Sequence, residues 1–264
     1  MDLLPLTFLA VSLSLLMAAA WAIQRLSRNS GWVDVIWSFS VGLCGLAAAL
    51  IPHTGALLQR QYTVACVIVL WALRLGFHIA RRSHASGDDP RYAALMAQWG
   101  KQASFQLFLF LQIQALAAFV LVFCVRLAAA NPSPSLTLSD LAGLIILGIA
   151  VVGEGIADAQ LARFAKVHKR GVCMKGLWSW SRHPNYFFEW LSWCGWALLA
   201  INFAEPFSLL ALSAPVLMYV LLVHVSGIPP LEAHMVSSRG DAFTSYQRSV
   251  SPFFLLPPKK SSAL

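Results

Sequence analysis

Leu3-Leu-Pro-Leu-Thr-Phe-Leu-Ala-Val-Ser-Leu-Ser-Leu-Leu-Met-Ala-Ala-Ala-Trp-Ala-Ile23 runs without one ionisable side chain. At 1.5 Å per residue, roughly 20 such residues make a helix that crosses a hydrocarbon core of about 30 Å. A cleaved leader would carry basic residues ahead of its apolar run. No basic residue precedes this one, only Asp2, so the stretch is expected to stay as a first span. Working outward, comparable runs recur at 32–51, 62–80, 105–127, 138–157, 186–201 and 207–225. The sixth is short enough to tilt or to be partly buried by its neighbours. The expected fold is all-α: one polytopic membrane domain over 1–264 with about seven transmembrane helices.

Composition agrees. Of 264 residues, 58% are apolar and 11% charged, where a soluble chain carries about 25% charged residues. The basic residues orient the spans. Sixteen of the 19 Lys and Arg lie in alternate connections: Arg25 and Arg28, then Arg81 to Lys101, then Arg163 to Arg182, then the tail from Arg239 to Lys260. The opposite loops hold Arg60 and Arg126, and Arg74 sits within a span. Basic loops stay cytoplasmic, which predicts an N-out, C-in arrangement. The net charge of +8 is therefore a topology signal. No basic helix or stacking platform accompanies it, so nucleic acid is not an expected partner. The five cysteines show no CxxC spacing and read as small packing residues, and no metal site is expected.

Ionisable groups inside a span cost about 2.5–3.5 kcal/mol each on insertion scales, so they mark function by default. Asp34 lies near the start of span 2, and Arg74 and His78 lie in the last third of span 3. Glu154 and Asp158 share a face near the end of span 5. Glu189 opens span 6 and His224 closes span 7. On the expected topology these seven residues sit at one depth and read as a polar cavity open to the cytoplasm.

The connection before span 6 adds a second pattern. A basic stretch from Arg163 through Lys166, His168, Lys169 and Arg170 leads to Ser181-Arg-His-Pro-Asn-Tyr-Phe-Phe-Glu189. Proline after Arg182-His183 suits a first helical turn, and Asn185 and Glu189 are then one turn apart on the same face. Cations and a helix start ahead of an amide and a carboxylate suit a ligand with both phosphates and amide or hydroxyl groups, such as a nucleotide. No GxGxxG or GxxxxGK[ST] occurs, so a nucleotide would sit among the helices.

Ser181 to Glu189 resembles the signature of the membrane steroid 5α-reductases, their bacterial relatives and the sterol reductases. Further matching stretches are Trp71-Ala-Leu-Arg-Leu, Asp88-Asp-Pro-Arg-Tyr-Ala-Ala-Leu, Trp99-Gly, Asp158-Ala-Gln-Leu-Ala-Arg-Phe, Ser226-Gly-Ile-Pro-Pro-Leu-Glu232 and Tyr246-Gln-Arg. The resemblance covers most of the chain and implies seven helices holding NADPH in their cytoplasmic half, with a lipid-derived enone entering from the bilayer. It implies that Asn185 and Glu189 hold the nicotinamide carboxamide, and that Asp158, Arg163, Arg182, His183 and Tyr186 serve the ribose and phosphates. Glu232 with Pro229-Pro230 would close the pocket. Arg74 matches a family arginine, and His78 and His224 complete the expected cofactor set. The animal reductases pair a Glu on their second helix with a Tyr on their third. With Arg74 as register mark, the Tyr position falls on Trp71 and span 2 holds no Glu. The group that polarises the ketone is then sought among Asp34 and Trp37 in span 2, Trp71, and Tyr92, the last read as the best free phenol, in the Asp-Pro-Arg-Tyr loop.

The expected activity is NADPH-dependent reduction of the C=C bond of a hydrophobic enone, nearest to a 3-oxo-Δ4-steroid giving its 5α product. The expected setting is a bacterial inner membrane, among lipid, with the site facing the cytoplasm. The competing reading is an S-adenosylmethionine-dependent methyltransferase of the isoprenylcysteine or phospholipid type. Those enzymes carry a similar Arg-His-Pro-x-Tyr core, typically followed by glycine where Glu189 stands. A transport role fits less well, because the polar residues stop at mid-membrane.

Overall fold

The computed structural model describes residues 3–53, 55–86, 88–168 and 171–259; Asp2, Lys169, Arg170 and Lys260 lie outside them. Among the described residues there are helices and turns but no strand, only one parallel bridge between Ser181 and Ser251. Six helical stretches among the described residues are long and apolar enough to cross a membrane: Leu3–Ser27, Gly31–Leu50, Leu58–His84, Pro90–Ala130, Leu138–Val167 and Pro206–Arg239. The chain is thus an all-helical integral membrane protein. It divides into two compact units, Met1–Leu141 with Trp196–Ala214, and Ala142–Gly195 with Pro215–Leu264.

The first unit is built on α1 (Leu3–Ser27), α2 (Gly31–Leu50), α3 (Leu58–Ser86), α4 (Pro90–Trp99) and α5 (Ala103–Ala130). Helix α2 packs on α1, α3 and α5 and is the inner helix, with 56% of its apolar window buried against 22% for α1. Small residues let it approach α3. A Cβ on Gly42 would overlap Ala72, and one on Gly45 would meet Ile68 Cγ1 at 2.8 Å. Between membrane helices such close contact supplies dispersion that lipid cannot.

At one end of this unit five helix termini are tied by buried polar groups. Arg60, in the first turn of α3, makes a two-pronged pair with Asp140 (2.6 and 2.6 Å) in the first turn of α6 (Leu138–Val167). Asp140 in turn accepts the Thr137 N–H at 2.7 Å. Arg60 and Asn131 both donate to Leu199 O, at the last turn of α7 (Pro184–Ala200), each at 3.3 Å. Arg126 caps the end of α2, donating to Ala48 O at 3.2 Å and Ile51 O at 2.6 Å. These are cations set against exposed carbonyls at helix C-termini. The ends of α2, α5 and α7 and the starts of α3 and α6 therefore share one level, as alternating spans require. Arg60 and Arg126, expected as loop charges, are buried inside helix ends because those carbonyls and Asp140 need donors.

In the second unit α6 and α7 run antiparallel. Leu147 meets Gly195, Phe188 lies against Gly153, and Asn185 reaches Asp158. Helix α6 continues ten residues past the expected 157, since its polar continuation (Asp158, Gln160, Arg163) remains helical outside the apolar run. The expected span at 207–225 is not one α-helix. It is a 3₁₀ stretch Pro206–Leu212, then α8 (Ser213–Val220) and a π-helical turn Leu221–Val225. Pro215 has no N–H for the carbonyl four residues back, so α-helix cannot run backward through it. At Gly227 a Cβ would collide with the Leu222 carbonyl. The chain breaks there and resumes as α9 (Ile228–Arg239) and α10 (Asp241–Ser249), with Pro229-Pro230 in the first turn of α9.

Candidate functional site

Residues 176–190 carry five of the eleven expected cofactor side chains, and local structure explains their placement. A 3₁₀ turn Gly176–Ser179 follows α6, pinned by Trp178 Nε1 to Ala157 O (2.9 Å) and by Leu177 N to Gln160 Oε1 (2.9 Å). Gly176 sits at φ +62°, where a side chain would also run into Gln160. The chain tail then folds back along Ser181 and Arg182: Arg182 N donates to Ser251 O (2.8 Å), Ser181 Oγ to Phe253 O (2.8 Å) and Leu256 N to Trp180 O (3.1 Å). Tyr246 adds its O–H to Trp178 O at 2.5 Å, and burial holds that phenol above its ordinary pKa. Phe253 and Phe254 pack edge-on against Trp190 of α7.

Arg182 and His183 are buried and both face Glu232 of α9. Arg182 donates through Nε to Glu232 Oε1 (2.7 Å) and through Nη2 to Oε2 (3.1 Å), and His183 Nε2 lies 2.9 Å from Oε1. Arg182 Nη1 also donates to Gln247 O and Val250 O. Burial lowers the His183 pKa, and the Arg182 charge adds to that against the pull of Glu232. The imidazole is therefore neutral at physiological pH. Tyr186 stacks on it at 5.5 Å.

One turn further in, carboxylates and an amide gather at the α6–α7 contact. Asp158 and Glu154 are buried on α6, and Asn185 Nδ2 donates to Asp158 Oδ1 at 3.4 Å. Glu189 is buried on α7 and accepts Trp193 Nε1 at 3.0 Å. Arg163 is exposed near the end of α6, and His224 is exposed on the π turn beside Tyr219.

The first unit holds the expected ketone-polarising candidates. The Asp88-Asp-Pro-Arg-Tyr stretch is not a loop. Asp89 caps α4 by accepting Arg91 N at 2.9 Å, with Pro90 in the first turn. Burial pushes the Asp89 pKa up, but the Arg91 hydrogen bonds and charge outweigh it and hold the group below its ordinary value. Arg91 bridges Asp89 to Asp34 at 2.5 Å, and Tyr92, buried, donates to Asp34 Oδ1 at 2.8 Å. Gln114 Nε2 donates to the Tyr92 oxygen at 3.1 Å. The phenol expected to be free is thus engaged on both sides. Ser30 joins α2 to this cluster through Asp88 and Asp89 N. On α3, Trp71 is fully buried and Arg74 and His78 half-buried, three and seven residues on and so along one face.

The family profile described as protein of unknown function (DUF1295) matches residues 20–250. This chain belongs to the DUF1295 family. That family is a membrane family related to the steroid 5α-reductases. No curated protein and no solved structure matches the chain.

In this DUF1295 chain the expected residues group by unit. Asp34 and Tyr92 meet directly in the first, where Trp71, Arg74 and His78 also lie. Asp158 meets Asn185 in the second, and Arg182, His183 and Glu232 form one cluster there. Sequence reading missed Gln114, Arg91 and Gln247 as partners. The first stands in an apolar helix, where an amide needs a partner. Arg91 and Gln247 stand within quoted motifs, but their sequence positions reveal no pairing across 57 and 15 residues.

Proposed function

We propose that this protein is an NADPH-dependent membrane reductase acting on the C=C bond of a hydrophobic enone, nearest to a 3-oxo-Δ4-steroid. The observation that carries the reading is the polar set at the α6–α7 contact: half-buried Asn185 paired with buried Asp158, and buried Glu189 one turn deeper. An amide and a carboxylate one helical turn apart complement a carboxamide, which has both an acceptor and donors. The DUF1295 match and the resemblance of 181–189 to the steroid 5α-reductases point the same way. On this reading seven spans cross the membrane, with α7 as the sixth and the broken run from Pro206 as the seventh. The N-terminus is outside, the tail inside, and the cofactor sits on the cytoplasmic side of a bacterial inner membrane.

NADPH supplies the hydride. The chain's work is to hold the carboxamide, exclude water and stabilise negative charge at the ketone oxygen as the β-carbon accepts hydride. Tyr92 is the candidate donor. Its O–H donates to Asp34, which also pairs with Arg91, and Gln114 donates to the ring oxygen. Trp71 is the alternative donor, able to give a hydrogen bond but no proton.

Membranes containing the protein, given NADPH and progesterone, should yield a product with two added hydrogens. Deuterium from the 4-position of labelled NADPH should appear at C5. Methyl transfer is the competing reading, carried by the Arg182-His183-Pro184-x-Tyr186 core alone. Absence of steroid reduction, together with transfer of a methyl group from adenosylmethionine to a lipid, would replace the reductase by a methyltransferase.

A further inference from the structure

In the second unit a single carboxylate collects four donors. Glu232 Oε1 receives Arg182 Nε (2.7 Å) and His183 Nε2 (2.9 Å), and Oε2 receives Arg182 Nη2 (3.1 Å) and Gln247 Nε2 (2.7 Å). A guanidinium fork, an imidazole N–H and an amide N–H converging on two oxygens is also the donor set that a phosphate accepts.

The donors and the acceptor are held differently. Arg182 is fixed by Gln247 O, Val250 O and the tail at Ser251, and Gln247 belongs to the same α10 segment. His183 is fixed through its N–H to Ser181 Oγ at 3.1 Å and by the Tyr186 ring. Glu232 comes instead from α9, which joins α8 through the π turn and the tight bend at Gly227. Breaks of this kind are where helices change direction. Arg182 and His183 are 8% and 4% exposed, so no ligand reaches them while Glu232 stays.

We propose that Arg182, His183 and Gln247 form an anion site for a phosphate group, that Glu232 is its built-in competitor, and that α9 withdraws when the phosphate enters. This rests on reading the second unit as the cofactor-binding part. It adds Gln247 as a ligand residue and reverses the role of Glu232, from pocket closure to self-inhibition. A tethered carboxylate competes at an effective concentration of order millimolar, and apparent affinity falls with the fraction of open site.

The test measures binding of NADPH and of inorganic pyrophosphate to the detergent-purified full chain and to two variants. Glu232→Gln keeps size and an acceptor but removes the charge, and should tighten both ligands by about tenfold. Gln247→Leu should weaken both by at least about fivefold. Pyrophosphate bound no tighter by Glu232→Gln than by the parent overturns the proposal, and does so without touching the cofactor reading if the parent binds NADPH. Tighter pyrophosphate binding with no NADPH binding by either protein upholds the anion site and removes the cofactor reading. Should Glu232→Gln fail to fold, amide exchange on the parent decides. Pyrophosphate should speed exchange across Ile228–Arg239, and unchanged or slower exchange overturns the withdrawal of α9.

Discussion

Asn185, Glu189 and Trp193 mark three successive turns of α7. The Trp193 indole at 3.0 Å fixes one oxygen of Glu189, which orients the carboxylate. On the proposed reading, replacing Asn185 or Glu189 by Ala removes a partner for the carboxamide, and losing a hydrogen bond of this kind costs roughly 1.5–3 kcal/mol, or 10- to 150-fold in affinity. Equilibrium binding of NADPH should show that loss in both variants, with circular dichroism unchanged. Parental affinity in both would remove the carboxamide assignment. His183 gives a second residue-level expectation. Its folded pKa lies below the ordinary 6.5 because burial disfavours the cation, so the unfolded chain binds the proton more strongly. Stability is then full above about pH 6.5 and declines as pH falls below it. The melting temperature of the purified protein should drop between about pH 7.5 and 5.5. His183→Gln should flatten that dependence, and an equal slope in the variant would assign the effect to other groups.

At the level of elements, the buried Arg60–Asp140 pair joins the starts of α3 and α6. Both side chains are about 2% exposed or less. Removing one partner leaves an uncompensated buried charge, at about 3–5 kcal/mol, whereas an apolar pair of similar volume is often neutral. Arg60→Met should therefore lower thermal stability sharply, and adding Asp140→Leu should restore part of it. The restoration stays partial because Asp140 also holds Thr137. Equal melting temperatures for Arg60→Met and the parent would show the pair to be idle. The same pair shows what was legible in the sequence. Apolar runs located α1, α2 and α5 to within four residues, since length and hydropathy decide a span, while α3 and α6 run six and ten residues past the expected ends. They could not reveal that Arg60 and Arg126 cap helix ends, because the carbonyls they serve lie 70 to 140 residues away. The helix beginning at Pro90 stands where a loop is expected, although Asp89 then Pro90 is a start signal. The break at Pro215 was equally visible and was passed over inside an apolar run. In the site, spacing along one helix gave Asn185 and Glu189, while the Asp34–Tyr92 contact depends on how α2 and α4 pack.

For the whole molecule, the basic asymmetry is sharper in the structure than in the sequence. Both arginines assigned to the outer loops are engaged within helix ends, which leaves those loops with no free cation among the described residues. Impermeant thiol labelling of Ser135→Cys and Ser262→Cys in sealed cells should mark position 135 and spare 262, in a background with Cys66 replaced. The reverse pattern would overturn the proposed N-out, C-in orientation.

The tie between Arg60 and Leu199 also sets an order of events during synthesis. Arg60 leaves the ribosome 80 residues before Asp140, a wait of roughly 4–16 s at bacterial or eukaryotic elongation rates. Through that interval the third helix sits in the bilayer with an unmatched guanidinium at its end, and Asn131 later waits in the same way for Leu199. The first unit, though drawn mostly from the first half of the chain, cannot close until residue 199 has been made. A nascent chain stalled before that point leaves a charged, unpaired helix end in the membrane, at a cost of about 2.5–3.5 kcal/mol on insertion scales.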